Sequence, residues 1–127
     1  MSKKNTVYYA HFSGIYNSCQ ETRDMELLKT IFPDADIINP NCKEIQEECA
    51  KLKSEGKNGM DLFTDIVKNC SVVAFRGCVN GKIGAGVWKE IMTAKENNIP
   101  VIELPSYLNR EMSVADTRLM LEELGRR

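Results

Sequence analysis

The chain has 127 residues, 43% of them hydrophobic, so it can bury the core of one domain and is too short to favour two. Its 17 basic and 18 acidic residues give a net charge of -1 and are spread along the chain, which argues against a nucleic-acid-binding surface. No apolar run approaches the roughly 20 residues that cross a bilayer, and no signal-peptide pattern is present. We therefore expect a cytoplasmic protein that does not bind membranes.

The cysteines and the single histidine do not predict a metal site. The five cysteines are irregularly spaced without a C-x-x-C pair, and His11 is the one histidine. Zinc sites usually need two close pairs of ligands, and a disulfide framework needs an even number of cysteines in a secreted chain. We predict reduced thiols, no metal and no cofactor.

The hydrophobic pattern predicts strands that alternate with helices. In chain order we expect a strand at 6–10, a helix with apolar spacing at 25–32, a strand at 35–40, a charged helix at 42–52, a helix at 60–67, a strand at 71–75, a helix after Gly86, a strand at 100–104 and a helix at 114–124. This alternation predicts an α/β fold, a three-layer Rossmann-like or flavodoxin-like sandwich with a small parallel sheet of four or five strands.

Three loops of such a fold should meet at one edge of the sheet. In open α/β sheets, ligands bind beyond the carboxyl ends of the strands, where the strand order reverses. The segments that come after the first three strands are residues 11–16, Asn39 with Pro40, and residues 77–90. Topology alone therefore predicts that they converge on a ligand.

The third of these segments leads through Gly81, Gly84 and Gly86 into a helix that carries Glu90. The glycines form neither a dinucleotide fingerprint nor a Walker sequence, and packing alone would also explain them. The spacing G-x-x-x-E places a carboxylate near the helix start, where the dipole favours its ionised form. Such a carboxylate can attack a sugar carbon, although a surface glutamate that only complements the dipole has the same pattern.

Several short motifs occur in the order of a known family. They are Tyr8-Tyr9-Ala10 followed by a polar loop, Asp61-Leu62 before an apolar strand, Gly86, Glu90 and Ala94 at four-residue spacing, and Pro100-Val101-Ile102. The chain resembles, through about residue 104, the nucleoside 2-deoxyribosyltransferase superfamily, which includes deoxynucleoside monophosphate N-glycosidases.

The resemblance implies three catalytic residues. Glu90 would be the nucleophile that attacks the anomeric carbon and forms a glycosyl-enzyme intermediate. Tyr8 would orient that carboxylate, and Asp61 would contact the nucleobase or protonate it as it leaves, a general-acid role that requires a raised pKa. Asp65 is the alternative to Asp61.

The resemblance also implies substrate contacts around the same edge. His11, Ser13 and Gly14 would line the sugar or phosphate end, and Tyr16 would stack on the base. Asn80 stands where family members often carry an acidic residue that holds the sugar hydroxyl. Together with Gly81, Gly84 and Gly86, these residues complete the expected substrate-binding set.

The resemblance implies an enzyme that cleaves or transfers an N-glycosidic bond in a nucleoside, a nucleotide or a related ribosyl compound, through a covalent glycosyl-Glu90 intermediate. The alternative is a non-catalytic module that binds or sequesters a nucleotide-derived ligand in the same pocket. An FMN carrier is a weaker alternative, because residues 11–18 lack a dense Ser/Thr run. The resemblance further implies a homodimer or higher homo-oligomer, with the helix at 114–124 as the interface unless it packs on its own sheet.

Overall fold

The computed structural model describes residues 5–78, 81–105 and 112–126, so Asn80 lies outside the described residues. The elements are β1 (Thr6–Ala10), a 3-10 turn (Ser13–Ile15), α1 (Cys19–Ile31), β2 (Asp36–Ile38), α2 (Lys43–Ser54), α3 (Gly59–Lys68), β3 (Val72–Phe75), α4 (Ala85–Glu96), β4 (Val101–Glu103) and α5 (Val114–Glu123). Within these ranges, no helix combines the length and apolar character needed to cross a membrane.

The four strands in the described part of the chain form one parallel sheet in the order β2-β1-β3-β4. The predicted α/β fold with a small parallel sheet is therefore confirmed. The chain moves from β1 outward to β2 and then returns to the other side of β1 at β3, so the strand order reverses between β1 and β3. This reversal creates the crevice in which such sheets bind ligands.

The side chains of β1 alternate between two hydrophobic cores, because successive residues of a strand point to opposite faces. Tyr8 and Ala10 pack with Val67 of α3 and with a face of α4. Val7 and Tyr9 pack on the other face with Leu28 of α1. Helices therefore cover both faces of the sheet, and the two adjacent tyrosines belong to different layers.

The largest boundary difference from the sequence prediction is at α1, whose apolar spacing starts at residue 25 but whose first residue is Cys19. Ser18 caps the helix, since its side chain accepts a hydrogen bond of 3.2 Å from the backbone N–H of Glu21. The capping-box pattern Ser18-x-x-Glu21 marks this start in the sequence. The first two turns of α1 thus carry charged residues that the apolar spacing did not reveal.

The closing helix α5 forms at the expected place, but every described residue of it is exposed. Its apolar stripe consists of Val114, Met120, Leu121 and Leu124. A ten-residue helix is marginal in water without packing. Within the described chain, α5 does not bury a side chain on its own sheet.

We expect Leu28→Ala to lower the free energy of unfolding by about 2–5 kcal/mol, because Leu28 is fully buried between α1 and the sheet. Ile31→Ala on the same helix removes a side chain that is 47% exposed and should cost less than about 1 kcal/mol. Urea denaturation measures both values. Equal losses would contradict this description of the core.

Candidate active site

A pocket of about 280 Å³ opens at the carboxyl end of β1, in the crevice where the strand order reverses. The end of β1, the loop after it, the first turns of α3 and the beginning of α4 contribute its walls. The lining residues are Tyr8, His11, Phe12, Ser13, Tyr16, Met60, Phe63, Gly84, Ala85, Gly86, Val87 and Glu90.

Glu90 and Tyr8 form the polar part of this pocket. Glu90 is 7% exposed and lies between the buried Val87 and Ile91 of α4, whereas Tyr8 projects from β1 and is 0% exposed. Neither Tyr8 Oη nor Glu90 Oε2 has a hydrogen-bond partner in the described part of the chain. The Tyr8 hydroxyl and the Glu90 carboxyl group are nonetheless close enough to influence each other's pKa. Unpaired buried polar atoms are rare and are often found at functional sites.

Burial controls the ionisation of this pair. It raises the pKa of Glu90 from 4.5 to about 7, and the Tyr8 hydroxyl only partly opposes this shift. Burial and the adjacent Glu90 charge also raise the pKa of Tyr8, so the phenol stays protonated and can donate a hydrogen bond to the carboxylate. The sequence position near the start of α4 predicted that the helix dipole would favour the ionised form, and burial outweighs that effect.

Aromatic and thioether side chains form the apolar walls. Phe12 and Tyr16 come from the loop after β1, and Met60 and Phe63 come from the first turns of α3. Burial raises the pKa of Tyr16 to about 12, with the Glu90 charge adding to the shift. The pocket therefore combines aromatic walls with one buried carboxylate.

The glycines of the turn before α4 have different surroundings. Gly84 and Gly86 line the pocket, and a Cβ would be 3.6 Å from the Phe12 ring at Gly84 and 3.7 Å from Met60 Sδ at Gly86, both ordinary contacts. Gly81 does not line the pocket and has a φ of +81°, which favours glycine. Gly84 is also the N-cap residue of α4. Since Gly84 lines the pocket, the first turn of α4, with its free backbone N–H groups, starts at the pocket wall.

Besides Gly81, the predicted residues Asp61, Asp65 and Gly14 also lie outside the pocket. Asp61 is exposed in the first turn of α3 and does not line the pocket. Asp65 is exposed and pairs with Lys68 at 3.8 Å. Gly14 is exposed outside the pocket, where an added Cβ would collide with the Phe12 ring. Among the described lining residues, Glu90 is the one carboxylate.

His11 lines the pocket, but both of its ring nitrogens are engaged elsewhere. Its Nδ1 is 3.0 Å from the carbonyl oxygen of Tyr9, and its Nε2 is 2.8 Å from Glu21 Oε2. Of the other residues predicted at this edge, Ser13 and Tyr16 line the pocket, whereas Asn39 and Pro40 do not.

A second buried polar cluster lies on the Tyr9 side of the sheet. Asp24 accepts hydrogen bonds from the Tyr9 hydroxyl and from Arg76, whose Nε lies 2.9 Å from Asp24 Oδ2. Gln20 Nε2 donates to Asp24 at 3.1 Å. Sequence reasoning missed Glu21 and Asp24, although their spacing with Leu28 places all three on the buried side of α1.

No group of three or more potential metal-binding side chains occurs in residues 5–78, 81–105 and 112–126.

Comparisons of this chain with protein-family models, with curated proteins and with solved structures find no match in any of the three.

The pKa of Glu90 predicts an unusual pH dependence of stability. Between pH 4.5 and about 7 the folded state retains a proton that the unfolded state loses, so stability falls as the pH rises, by up to about 3 kcal/mol. Glu90→Gln removes this loss, so its stability relative to wild type should rise by about 1–3 kcal/mol between pH 5 and pH 8.

Urea denaturation of wild type and variant at both pH values measures this difference. Glu96→Gln, an exposed position on α4, is the matched control and should change the relative stability by less than about 0.5 kcal/mol. A Glu90→Gln variant whose stability differs from wild type by the same amount at pH 5 and pH 8 would contradict the buried, proton-retaining carboxyl group.

Proposed function

We propose that this protein cleaves or transfers the N-glycosidic bond of a nucleoside or nucleotide, with Glu90 as the nucleophile. The observation that carries the proposal is the buried Glu90 carboxylate, whose Oε2 is unpaired beside the Tyr8 hydroxyl in an aromatic-walled pocket. The resemblance of the sequence motifs to the nucleoside 2-deoxyribosyltransferase superfamily supports the same chemistry.

The reaction would use the ionised form of Glu90. A carboxylate oxygen forms a bond to the anomeric carbon while the bond from that carbon to the base nitrogen breaks, and the base leaves with the electron pair. Positive charge develops on the sugar in the transition state, and a poorly solvated carboxylate stabilises it more than a solvated one would. Water or a second base then displaces Glu90 and releases the sugar product.

The leaving base also needs a proton. Asp61 and Asp65 lie outside the pocket, and both nitrogens of His11 are engaged, so we propose that water supplies this proton. A reaction without a strong general acid depends on the stability of the departing base. Nucleosides with better leaving bases should therefore react faster.

The pocket walls suit a small heterocyclic ligand. Its volume of about 280 Å³ lies at the lower end of the range for ligand pockets. If the base packs between Tyr16 and Phe63, the sugar lies toward Glu90 and Tyr8. Ser13, on the loop after β1, is the side chain that we assign to the sugar or phosphate end.

Purified wild-type protein should release free base from at least one member of a panel of nucleosides, deoxynucleotides and NAD. Since the reacting form is ionised Glu90, kcat/KM should rise about tenfold per pH unit below the pKa of about 7 and level off above it. Glu90→Gln should lower kcat more than about 1,000-fold because the covalent step is lost. Chromatography with mass spectrometry measures the released base.

The exposed Glu96→Gln variant is the control and should retain wild-type rates. Base release that continues unchanged in Glu90→Gln would contradict the nucleophile assignment. A rate that falls as the pH rises from 5 to 7 would contradict the use of the ionised carboxylate.

A second candidate function is supported by the position of Asp61. Because the described pocket residues include one carboxylate and no free general acid, the same pocket would suit a module that binds a nucleotide-derived ligand without turnover. Tight binding across the panel with no free base would favour this module over the enzyme.

We further propose that α5 joins two copies of the chain. Its apolar stripe is exposed, with Leu124 at 65%, and the acidic Asp116, Glu122 and Glu123 lie on the same helix. The outer face of α4 offers a complementary surface, because Trp88 and Met92 are exposed there and Lys95 Nζ lies 5.6 Å from the Trp88 ring. Burial of the stripe on α4 of a second copy would supply the packing that α5 lacks.

Light scattering after size exclusion should therefore give twice the chain mass of 14.4 kDa. Leu121→Glu with Leu124→Glu should shift the protein to the single-chain mass, because two charges would enter the apolar contact. Ala115→Glu, on the opposite side of α5, should remain dimeric. A monomeric wild-type protein, or a dimer that survives the double substitution, would contradict this interface.

A further inference from the structure

Glu21 connects three segments at the carboxyl edge of the sheet. It lies in the first turn of α1 and is 9% exposed. Its carboxylate accepts hydrogen bonds from His11 Nε2 at 2.8 Å, from Asn41 Nδ2 at 3.0 and 3.1 Å, and from the backbone N–H of Asn17 at 3.2 Å. His11 and Asn17 belong to the loop after β1, and Asn41 belongs to the loop after β2. One side chain therefore joins both loops to α1.

The hydrogen-bond partners of Glu21 stabilise its ionised form. Burial alone would raise its pKa, but the hydrogen bonds from His11, Asn41 and Asn17 outweigh burial and lower the pKa below its ordinary value. Glu21 is therefore ionised at neutral pH, and each of its contacts is a charge-assisted hydrogen bond.

His11 is fixed in orientation by contacts on two sides and beneath its ring. Its nitrogens face the Glu21 carboxylate and the Tyr9 carbonyl oxygen, both of which can only accept hydrogen bonds. The imidazole stacks on the Tyr9 ring with a centroid distance of 3.7 Å and an interplanar angle of 3°. The Tyr9 hydroxyl in turn donates a hydrogen bond to the buried Asp24, so the Tyr9 ring beneath the imidazole is also fixed in position.

The His11 ring also contacts an aromatic wall of the pocket. The ring of Tyr16 leans against the imidazole at a centroid distance of 4.8 Å and an interplanar angle of 49°. Tyr16 and His11 both line the pocket, whereas Glu21 does not. Glu21 therefore reaches this wall through the His11 ring and through the backbone N–H of Asn17, the residue after Tyr16.

We propose that Glu21 is a positioning residue, which holds His11 and through it the Tyr16 wall against which the planar ring of the ligand packs. The proposal rests on the proposed function for the kind of ligand, since a nucleobase is the planar ring in question. Glu21→Gln removes the charge and one acceptor oxygen while keeping the size of the side chain. The ring of Tyr16 then loses its fixed support, but Glu90 and Tyr8 are untouched.

The first test is nuclear magnetic resonance of the ligand-free protein. His11 is the only histidine in the chain, so its ring resonances need no further assignment. In wild type, the stacked Tyr9 ring should shift the imidazole protons away from free-histidine values, and Glu21→Gln should move them back toward those values. Glu26→Gln, at an exposed position on α1, is the control and should leave them unchanged.

The second test is steady-state kinetics with 2′-deoxyadenosine and the other nucleosides that wild type cleaves. Loss of one charge-assisted contact should raise KM about tenfold, while kcat stays within about threefold of wild type. A structural role alone would lower the amount of folded protein, and thus the apparent kcat, without this rise in KM. Thermal melting of each variant measures the folded fraction.

If Glu21→Gln fails to fold, Asn41→Ala replaces it, because this substitution removes one donor to Glu21 and leaves the His11 contact. It should move the same resonances and raise KM about threefold. Unchanged His11 resonances, or KM values equal to wild type, would overturn the proposal in either variant.

Different results would contradict the proposed reaction and the positioning role of Glu21. A wild-type protein that binds members of the panel but releases base from none of them would contradict the reaction alone. The Kd of a bound panel member, measured by titration and read from the His11 resonances, then replaces KM, with the same expected rise in Glu21→Gln. A wild-type protein that binds none of the nucleosides, deoxynucleotides or NAD of the panel would overturn both proposals.

Discussion

The free energy needed to ionise Glu90 inside the protein is the constraint on which the candidate site depends. The carboxyl group lies beside the protonated Tyr8 at the crevice between β1 and β3, and burial raises its pKa to about 7. A carboxylate in solvent would be ionised at no cost but would also be a weak nucleophile with a strong hydration shell. Because its pKa lies near 7, Glu90 ionises close to neutral pH, and its charged form costs free energy inside the protein. A ligand that develops positive charge would reduce this cost.

The strand β1 organises both sides of this arrangement. Tyr8 faces α4 and contacts the pocket, while Tyr9 faces α1 and supports the ring of His11. Since adjacent strand residues point to opposite faces, two neighbouring tyrosines serve different layers. The loop that leaves β1 thus contacts both the pocket and Glu21 of α1.

Strand order and hydrophobic periodicity made part of the site predictable from the sequence. The alternation of strands and helices predicted the parallel sheet, and its strand ends predicted that the segments with His11, Tyr16 and Glu90 would meet. The same reasoning placed Asn39 and Pro40 there, and these two residues do not line the pocket. These inferences need only the direction of the chain and the position of strand ends.

The missed residues required knowledge of packing between helices. Met60 and Phe63 have the spacing of core residues, and only the position of α3 against α4 shows that they form a pocket wall. The early start of α1 hid Glu21, because the apolar spacing begins several residues later. Asp61 has the sequence context of a site residue, but its place on α3 leaves it exposed. Helix rotation of this kind cannot be read from one sequence without knowing what the helix packs against.

The most direct test of the central claim is intact-protein mass spectrometry of samples quenched with acid during turnover of a nucleoside. The covalent mechanism predicts an adduct with the mass of the sugar, mapped by peptide fragmentation to Glu90 and missing from Glu90→Gln. Turnover with no adduct under conditions where the second step is slow, or an adduct on another residue, would contradict it.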